Sequence, residues 1–396
     1  MVIKNIFFTQ NSFFRSNKKI KKKTYKELRK FIDEIKKNKY PLLSSYNPEF
    51  KLNFQKKKIS NLKNKKNFLI IGMGGSILGA KAIYSFLKKK IKKNFLFLDN
   101  LNENIKKFLS KNNNKVCIFI SKSGNTLETL VNYNIIIKKN NHKNNLFITE
   151  NKSNLFREIA NKLKNDVIEH KNYIGGRFSV MSEVGMLPAQ LMGLKVKKFK
   201  NLNRLIENKK FQIKLIQNAS TIYSLYLKNK TNSVILNYDP EMEDLCYWYQ
   251  QLVAESLGKK NNGIFPIISS VPKDNHSLFQ LFLDGKKNNF FTIFFSRHDK
   301  EYKLDKSYLP SSLKYLSKKT LESVANAQRL GTQEALSKKR IPFRTFYVLK
   351  KNEVELGYFF TYFVLETILL SRLMKINPFD QPAVEIIKQK TKKFII

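Results

Sequence analysis

The sequence predicts an α/β protein made of two doubly wound parallel-sheet units of similar size, preceded by a helical N-terminal segment. Three observations lead there. Short apolar runs recur along the chain, each followed by a polar loop and then a stretch with helical apolar spacing. That alternation belongs to a parallel sheet with helices on both faces. Several of the loops are rich in glycine or hydroxyls and sit where ligands bind in such folds, outside the carboxyl ends of strands. At 396 residues, of which 42% are hydrophobic, the chain is long enough for two domains with a sizeable core.

Residues 1–60 read as a basic helical segment, ending in the linker-like run KKKISNLKNKKN from Lys56 to Asn67. Residues 61–200 make the first unit. There Asn67–Ile71 is a strand feeding the loop GMGGS, Gly72 to Ser76, with a helix from Ile77. Asn94–Leu98, ending at Asp99, Val116–Ile120 and Leu146–Thr149 are the strands that follow. After Lys200 a helical connector opens the second unit, residues 201–396. Its strands are Ser233–Tyr238, Gly263–Ile268, Phe290–Phe295 and Pro342–Leu349. The most apolar stretch, Leu356 to Leu370, contains Glu366 and is followed by Arg372. Those charges favour a buried globular helix over a membrane span.

The run SKSGNTLET, Ser121 to Thr129, lies between the third strand and an amphipathic segment, Leu127 to Lys139. Free N–H groups at a helix N-terminus, with the hydroxyls of Ser121, Ser123 and Thr126, make a cradle for a phosphate. Lys122 adds a cation. Ser and Thr also cap helices, so an over-polar capping loop is the rival reading. GMGGSILG, Gly72 to Gly79, tempts a dinucleotide reading, helped by Asp99 about twenty residues on. That fingerprint needs its third glycine at position 77, where Ile77 stands. Beside a second hydroxyl-rich loop, a sugar phosphate fits better.

Lys and Arg number 75 against 30 Asp and Glu, a net charge of +45. The lysines are spread over the whole chain, usually with asparagine, and no zinc-finger or Gly-rich RNA-binding signature accompanies them. An A/T-rich codon bias explains this composition, so no nucleic-acid partner is expected. A positive field still attracts phosphorylated anions. Cys117 and Cys246 are far apart, and His142, His170, His276 and His298 lack metal-ligand spacing. With no secretory run at the N-terminus, a reduced, metal-free, cytoplasmic protein is expected.

Four further blocks carry chemistry. GGRFSVMSEVGMLP, Gly175 to Pro188, puts Arg177 after a Gly–Gly turn that lets backbone approach a ligand. QLVAESLGKKNNGIFP, Gln251 to Pro266, sets Gln251 and Glu255 four apart on one helical face. DNHSLFQLFLDG, Asp274 to Gly285, places His276 at a helix start, and NPFDQPAVEIIKQ, Asn377 to Gln389, holds Gln381 and Lys388. Singly, each has a plain alternative. Glu255 could be an exposed helix carboxylate, His276 a cap, and Arg177 the partner of a structural carboxylate such as Glu183. Lys388 stands among Lys390, Lys392 and Lys393, and composition gives it no distinction.

Together and in this order, from roughly Ile70 to Lys388, the blocks resemble the glucose-6-phosphate isomerase family, in its shorter bacterial type. The resemblance implies two sugar-isomerase (SIS) subdomains and a cofactor-free interconversion of glucose 6-phosphate and fructose 6-phosphate in glycolysis and gluconeogenesis. It implies Glu255 as the proton-transferring base, Arg177 as stabiliser of the enediolate, and His276 with Lys388 for ring opening. Ser121, Lys122, Ser123 and Thr126 would hold the phosphate, and Gly75, Ser76, Gln251 and Gln381 would line the sugar. It further implies a homodimer with shared active sites. A related isomerase that also takes mannose 6-phosphate is the alternative. A sugar-phosphate sensor would keep Ser121 to Thr126 but lack Glu255, Arg177 and His276.

Overall fold

The computed structural model describes residues 6–54, 56–101, 115–138, 145–297 and 302–395. His142, His298 and the end of the helix expected to reach Lys139 lie outside the described residues. Among the described residues ten strands form two sheets: β1 (Ile6–Gln10), β2 (Asn67–Gly72), β3 (Asn94–Leu98), β4 (Val116–Ile120), β5 (Leu146–Thr149), β6 (Asp166–Glu169), β7 (Asn232–Asn237), β8 (Phe265–Ser270), β9 (Asn289–Ser296) and β10 (Phe343–Val348).

The first sheet has the order β3-β2-β4-β5-β6 and is parallel throughout. Its middle strand, VCIFI, is buried at every position. A strand covered by helices on both faces needs that unbroken apolar run. The order reverses direction between β2 and β4, which opens a crevice at their carboxyl ends, the place where such folds bind ligands. GMGGS leaves β2 and SKSGNT leaves β4, so the two loops flank this switch point.

The second sheet runs β1-β10-β9-β7-β8, parallel except for β1. That edge strand corrects the expectation for the N-terminal segment. Instead of being helical throughout, it contains β1, paired antiparallel to β10 with Ile6 opposite Val348. The first helix follows only at Lys18–Lys36. The run expected as a linker is also different. Lys56–Lys63 is a helix, fixed by Ile59 and Leu62, which lie one turn apart and are buried. A fifth strand, β6, lies beside β5; its short, half-buried DVIE carries too little apolar signal to stand out.

The helix Glu353–Met374 is long and apolar enough to cross a membrane, yet 94% of its most apolar window is buried inside the protein. Glu366 explains the polar interruption. It forms a two-pronged pair with Arg344 of β10 at 2.5 and 2.9 Å, and Tyr249, Tyr362, Asn218 and Thr292 satisfy the remaining groups. Arg372 likewise pairs with Glu34 at 2.6 Å, tying the last turn to the N-terminal helix. The helices Leu78–Phe86 and Glu243–Leu257 pack together and join the two sheets. Lys81 stitches that join, 2.7 Å from Asp99 and 3.6 Å from Asp244. Asp99, the acid that helped the dinucleotide reading, is therefore committed to an ion pair.

Candidate active site

A cleft of about 390 Å³ opens at the switch point of the first sheet. One wall is the loop after β2. Gly74 sits at φ +51°, and a Cβ there would come 2.7 Å from Nε2 of Gln251, so the loop lies directly on the Glu243–Leu257 helix. Gly75 is tighter still: a Cβ would stand 2.2 Å from the carbonyl carbon of Gly176. Two motif loops thus touch backbone to backbone, and Ser179 pins them by donating to the carbonyls of Gly75 and Gly176 at 3.2 and 2.7 Å. The Gly–Gly turn before Arg177 was expected to let backbone approach a ligand; in the structure it meets Gly75.

A second wall is the loop after β4. Thr126 stands at the N-cap of the helix Leu127–Ile137, but its side chain makes no capping bond. Its first-turn N–H groups keep their capacity for an anion. Ser123 and Thr126 line the cleft, and Lys122 beside them donates to the carbonyl of Asn172 at 2.7 Å. Ser121 does not line it. That residue is buried, its Oγ 2.8 Å from Thr126 Oγ1 and accepting from the Gly124 amide at 3.1 Å. It shapes the loop from beneath, so two of the three expected hydroxyls reach the cavity.

Chemistry gathers on the third side. Glu255 and Gln251, one turn apart on their helix, are joined by Gln251 Nε2 donating to Glu255 Oε1 at 2.7 Å. The other oxygen, Oε2, accepts from Arg177 Nη1 at 3.0 Å. Arg177 is buried and donates five times in all. Beyond Glu255 it reaches Ser256 Oγ at 3.1 Å, Gln381 Oε1 at 2.5 Å, and the carbonyls of Pro378 and Asp380 at 2.5 and 2.9 Å. Burial pulls its pKa below the ordinary value, and Glu255 and Asp380 work against that fall. Glu183, the structural carboxylate considered for Arg177, accepts instead from the Asn53 amide at 2.8 Å.

The C-terminal segment closes the cleft. Lys259, which sequence reasoning missed, holds it with bonds to Asn377 O at 2.5 Å and Asp380 Oδ1 at 2.8 Å. Its position four residues past Glu255 was the available signal. Gln381 and Lys388 line the cavity, and Lys388 Nζ lies 3.1 Å from Glu385. Two other unforeseen residues, Glu150 and Lys152 just after β5, also line it. Their signal was equally positional, since they follow a strand at the same sheet edge. His276 stands apart, exposed at the end of the short helical turn Lys273–Asn275 after β8, and it does not line the cleft.

Among known proteins, the family model described as phosphoglucose isomerase matches residues 52–395. A glucose-6-phosphate isomerase of Methanocaldococcus jannaschii is 34% identical over 347 residues, covering 83% of this chain and 84% of the relative. Among solved structures, a hypothetical protein from Thermus thermophilus superposes with a TM-score of 0.81 at 21% identity, over 98% of this chain and all of the other. A glucose-6-phosphate isomerase from Chlamydia trachomatis superposes at 0.70 and 18% identity, over 86% of this chain and 73% of its own. These two likenesses speak to the fold.

Proposed function

The chain belongs to the phosphoglucose isomerase family, and from that premise we propose that its cleft interconverts glucose 6-phosphate and fructose 6-phosphate by aldose–ketose isomerisation. The observation that carries the reading is the meeting, in one cleft, of a hydroxyl-and-cation cradle with the Glu255 carboxylate. The phosphate enters the loop after β4, where Ser123, Thr126, Lys122 and the open helix N-terminus receive it, and Ser121 keeps the loop in shape. This anchoring brings the sugar carbons to Glu255.

With the chain open, Glu255 takes the proton from C2 of the aldose and returns it to C1. Between the two transfers the electron pair left on carbon is delocalised onto oxygen as an enediolate. The buried Arg177 cation beside Glu255 stabilises that charge. To complete the ketose, the C2 hydroxyl loses its proton and the C1 oxygen gains one. Gly75, Ser76, Gln251 and Gln381 surround the sugar. No cofactor takes part in this sequence.

Ring opening needs a second acid–base pair, assigned to Lys388 and His276. His276 lies outside this chain's cleft, and the helix Ala383–Ile395 carrying Lys388 has no buried residue while exposing Val384, Ile386, Ile387, Phe394 and Ile395. Both features support a homodimer in which His276 of one copy completes the site of the other. The expected setting is the cytoplasm, in glycolysis and gluconeogenesis. A coupled assay following fructose 6-phosphate formed from glucose 6-phosphate tests the reading. Turnover supports it; binding of 6-phosphogluconate without turnover would replace it with a sugar-phosphate sensor.

A further inference from the structure

We propose that Lys152 is a second cationic ligand of the substrate phosphate, and that Glu150 is the positioning residue holding Lys152 and Lys122 ready for it. The inference rests on the assignment of the loop after β4 as the phosphate cradle.

Both residues owe their place to the sheet. β5 lies next to β4 in register, Ile120 opposite Ile148, so the chain leaving β5 emerges beside the phosphate loop. Two backbone bonds fasten the exits together: Ser121 N to Ile148 O at 3.1 Å, and Glu150 N to Lys122 O at 3.0 Å. Thr149 Oγ1 adds a third, to the same Lys122 carbonyl at 3.2 Å. Glu150 cannot move without moving Lys122.

The side chains exploit that fixed point. Glu150 is 7% exposed. Its Oε1 lies 3.4 Å from Lys122 Nζ, and its Oε2 lies 2.6 Å from Lys152 Nζ. Burial alone would raise this carboxyl, yet Lys152 and Lys122 bring it below the ordinary value, so it stands as an anion between two cations. Lys122 has a second anchor in the Asn172 carbonyl. The exposed Lys152 side chain has no other ion-pair partner among the described residues. Without Glu150, its long side chain would regain the rotamer freedom of solvent.

Three donors on each ammonium allow Lys122 and Lys152 to keep Glu150 and still reach phosphate oxygens. Two cations against one carboxylate leave an excess positive charge in the cradle, suited to a phosphate monoester. The effect belongs to binding, because the phosphate is remote from the carbons that exchange protons.

Four variants test this: Lys152→Ala, Lys152→Arg, Glu150→Gln, and Glu150→Gln combined with Lys152→Ala. The measurements are affinity for 6-phosphogluconate by calorimetry, steady-state kinetics, and thermal unfolding as a check on folding. Lys152→Ala should weaken binding and raise KM about ten-fold, with a much smaller change in kcat, and Lys152→Arg should restore most of the loss. Glu150→Gln should weaken binding likewise, and should add less in the Lys152→Ala background than alone, as coupled residues do. Unchanged affinity in Lys152→Ala would overturn the ligand role. Tighter binding in Glu150→Gln would overturn the positioning role, since the carboxylate would then be a competing anion. If the wild-type protein neither binds 6-phosphogluconate nor isomerises, the functional assignment itself falls.

Discussion

Nη1 of Arg177 lies 3.0 Å from Oε2 of Glu255, and the arginine side chain is 2% exposed. The carboxylate assigned to carry the proton is therefore oriented by a buried fork that also grips the segment Pro378–Gln381. Carboxylate and C-terminal strap are set by one side chain.

Glu255→Gln should preserve much of that hydrogen-bonded frame and remove only the proton acceptor. Turnover should fall on the order of a hundred- to ten-thousand-fold, while affinity for 6-phosphogluconate stays within a few-fold. The coupled assay and calorimetry measure the two quantities; near-normal turnover would remove Glu255 from its role.

Gly75 and Gly176 should differ sharply despite their contact. A Cβ on Gly75 would stand 2.2 Å from backbone that cannot yield, whereas on Gly176 the nearest atom would be 3.9 Å away. Gly75→Ala should lower the melting temperature and impair the cleft, and Gly176→Ala should be mild by both measures. Equal effects would mean that the loops do not pack as described.

The Arg344–Glu366 pair is wholly buried. Glu366→Leu leaves the guanidinium unpaired in the core and should cost about 3–5 kcal/mol in denaturant unfolding. Adding Arg344→Met should recover much of the loss, because replacing both partners removes the stranded charge. A double variant as unstable as the single one would assign the cost to packing instead.

His170 supplies a pH dependence. Burial pushes its pKa down to about 4, with Lys122 helping, while the bond to the Lys171 carbonyl works the other way. The unfolded chain binds that proton near pH 6.5 and the folded chain does not, so the native state is fully favoured above pH 6.5 and loses ground as the pH falls toward 4. The loss should reach roughly 3 kcal/mol. His170→Gln should flatten the stability curve between those pH values, and an unchanged slope would show that other groups set it.

Much of this was legible in the chain, for identifiable reasons. β4 could be read because an unbroken apolar run has few other uses, and the switch-point loops because glycine and hydroxyls cluster after strands. Glu366 was readable as the mark of a buried helix, though Arg344 was invisible as its partner, being 22 residues away on another element. β1 was hidden because IFFTQ is short, at an edge, and only half-buried. Lys152 and Lys259 were hidden for a different reason. In a chain with 75 basic residues, a functional lysine looks like any other until the sheet brings it to the cleft.

The proposed sharing of the site between two copies admits the most direct test. Glu255→Gln subunits and His276→Ala subunits, each inactive alone, are co-assembled and the mixed dimers identified by mass spectrometry. If His276 serves the neighbouring copy, a mixed dimer has one site with both lesions and one with neither. Random assembly makes half the dimers mixed, so roughly a quarter of wild-type activity should return. If His276 served its own chain, every site would carry one lesion, and the absence of any recovery in confirmed mixed dimers would contradict the shared site.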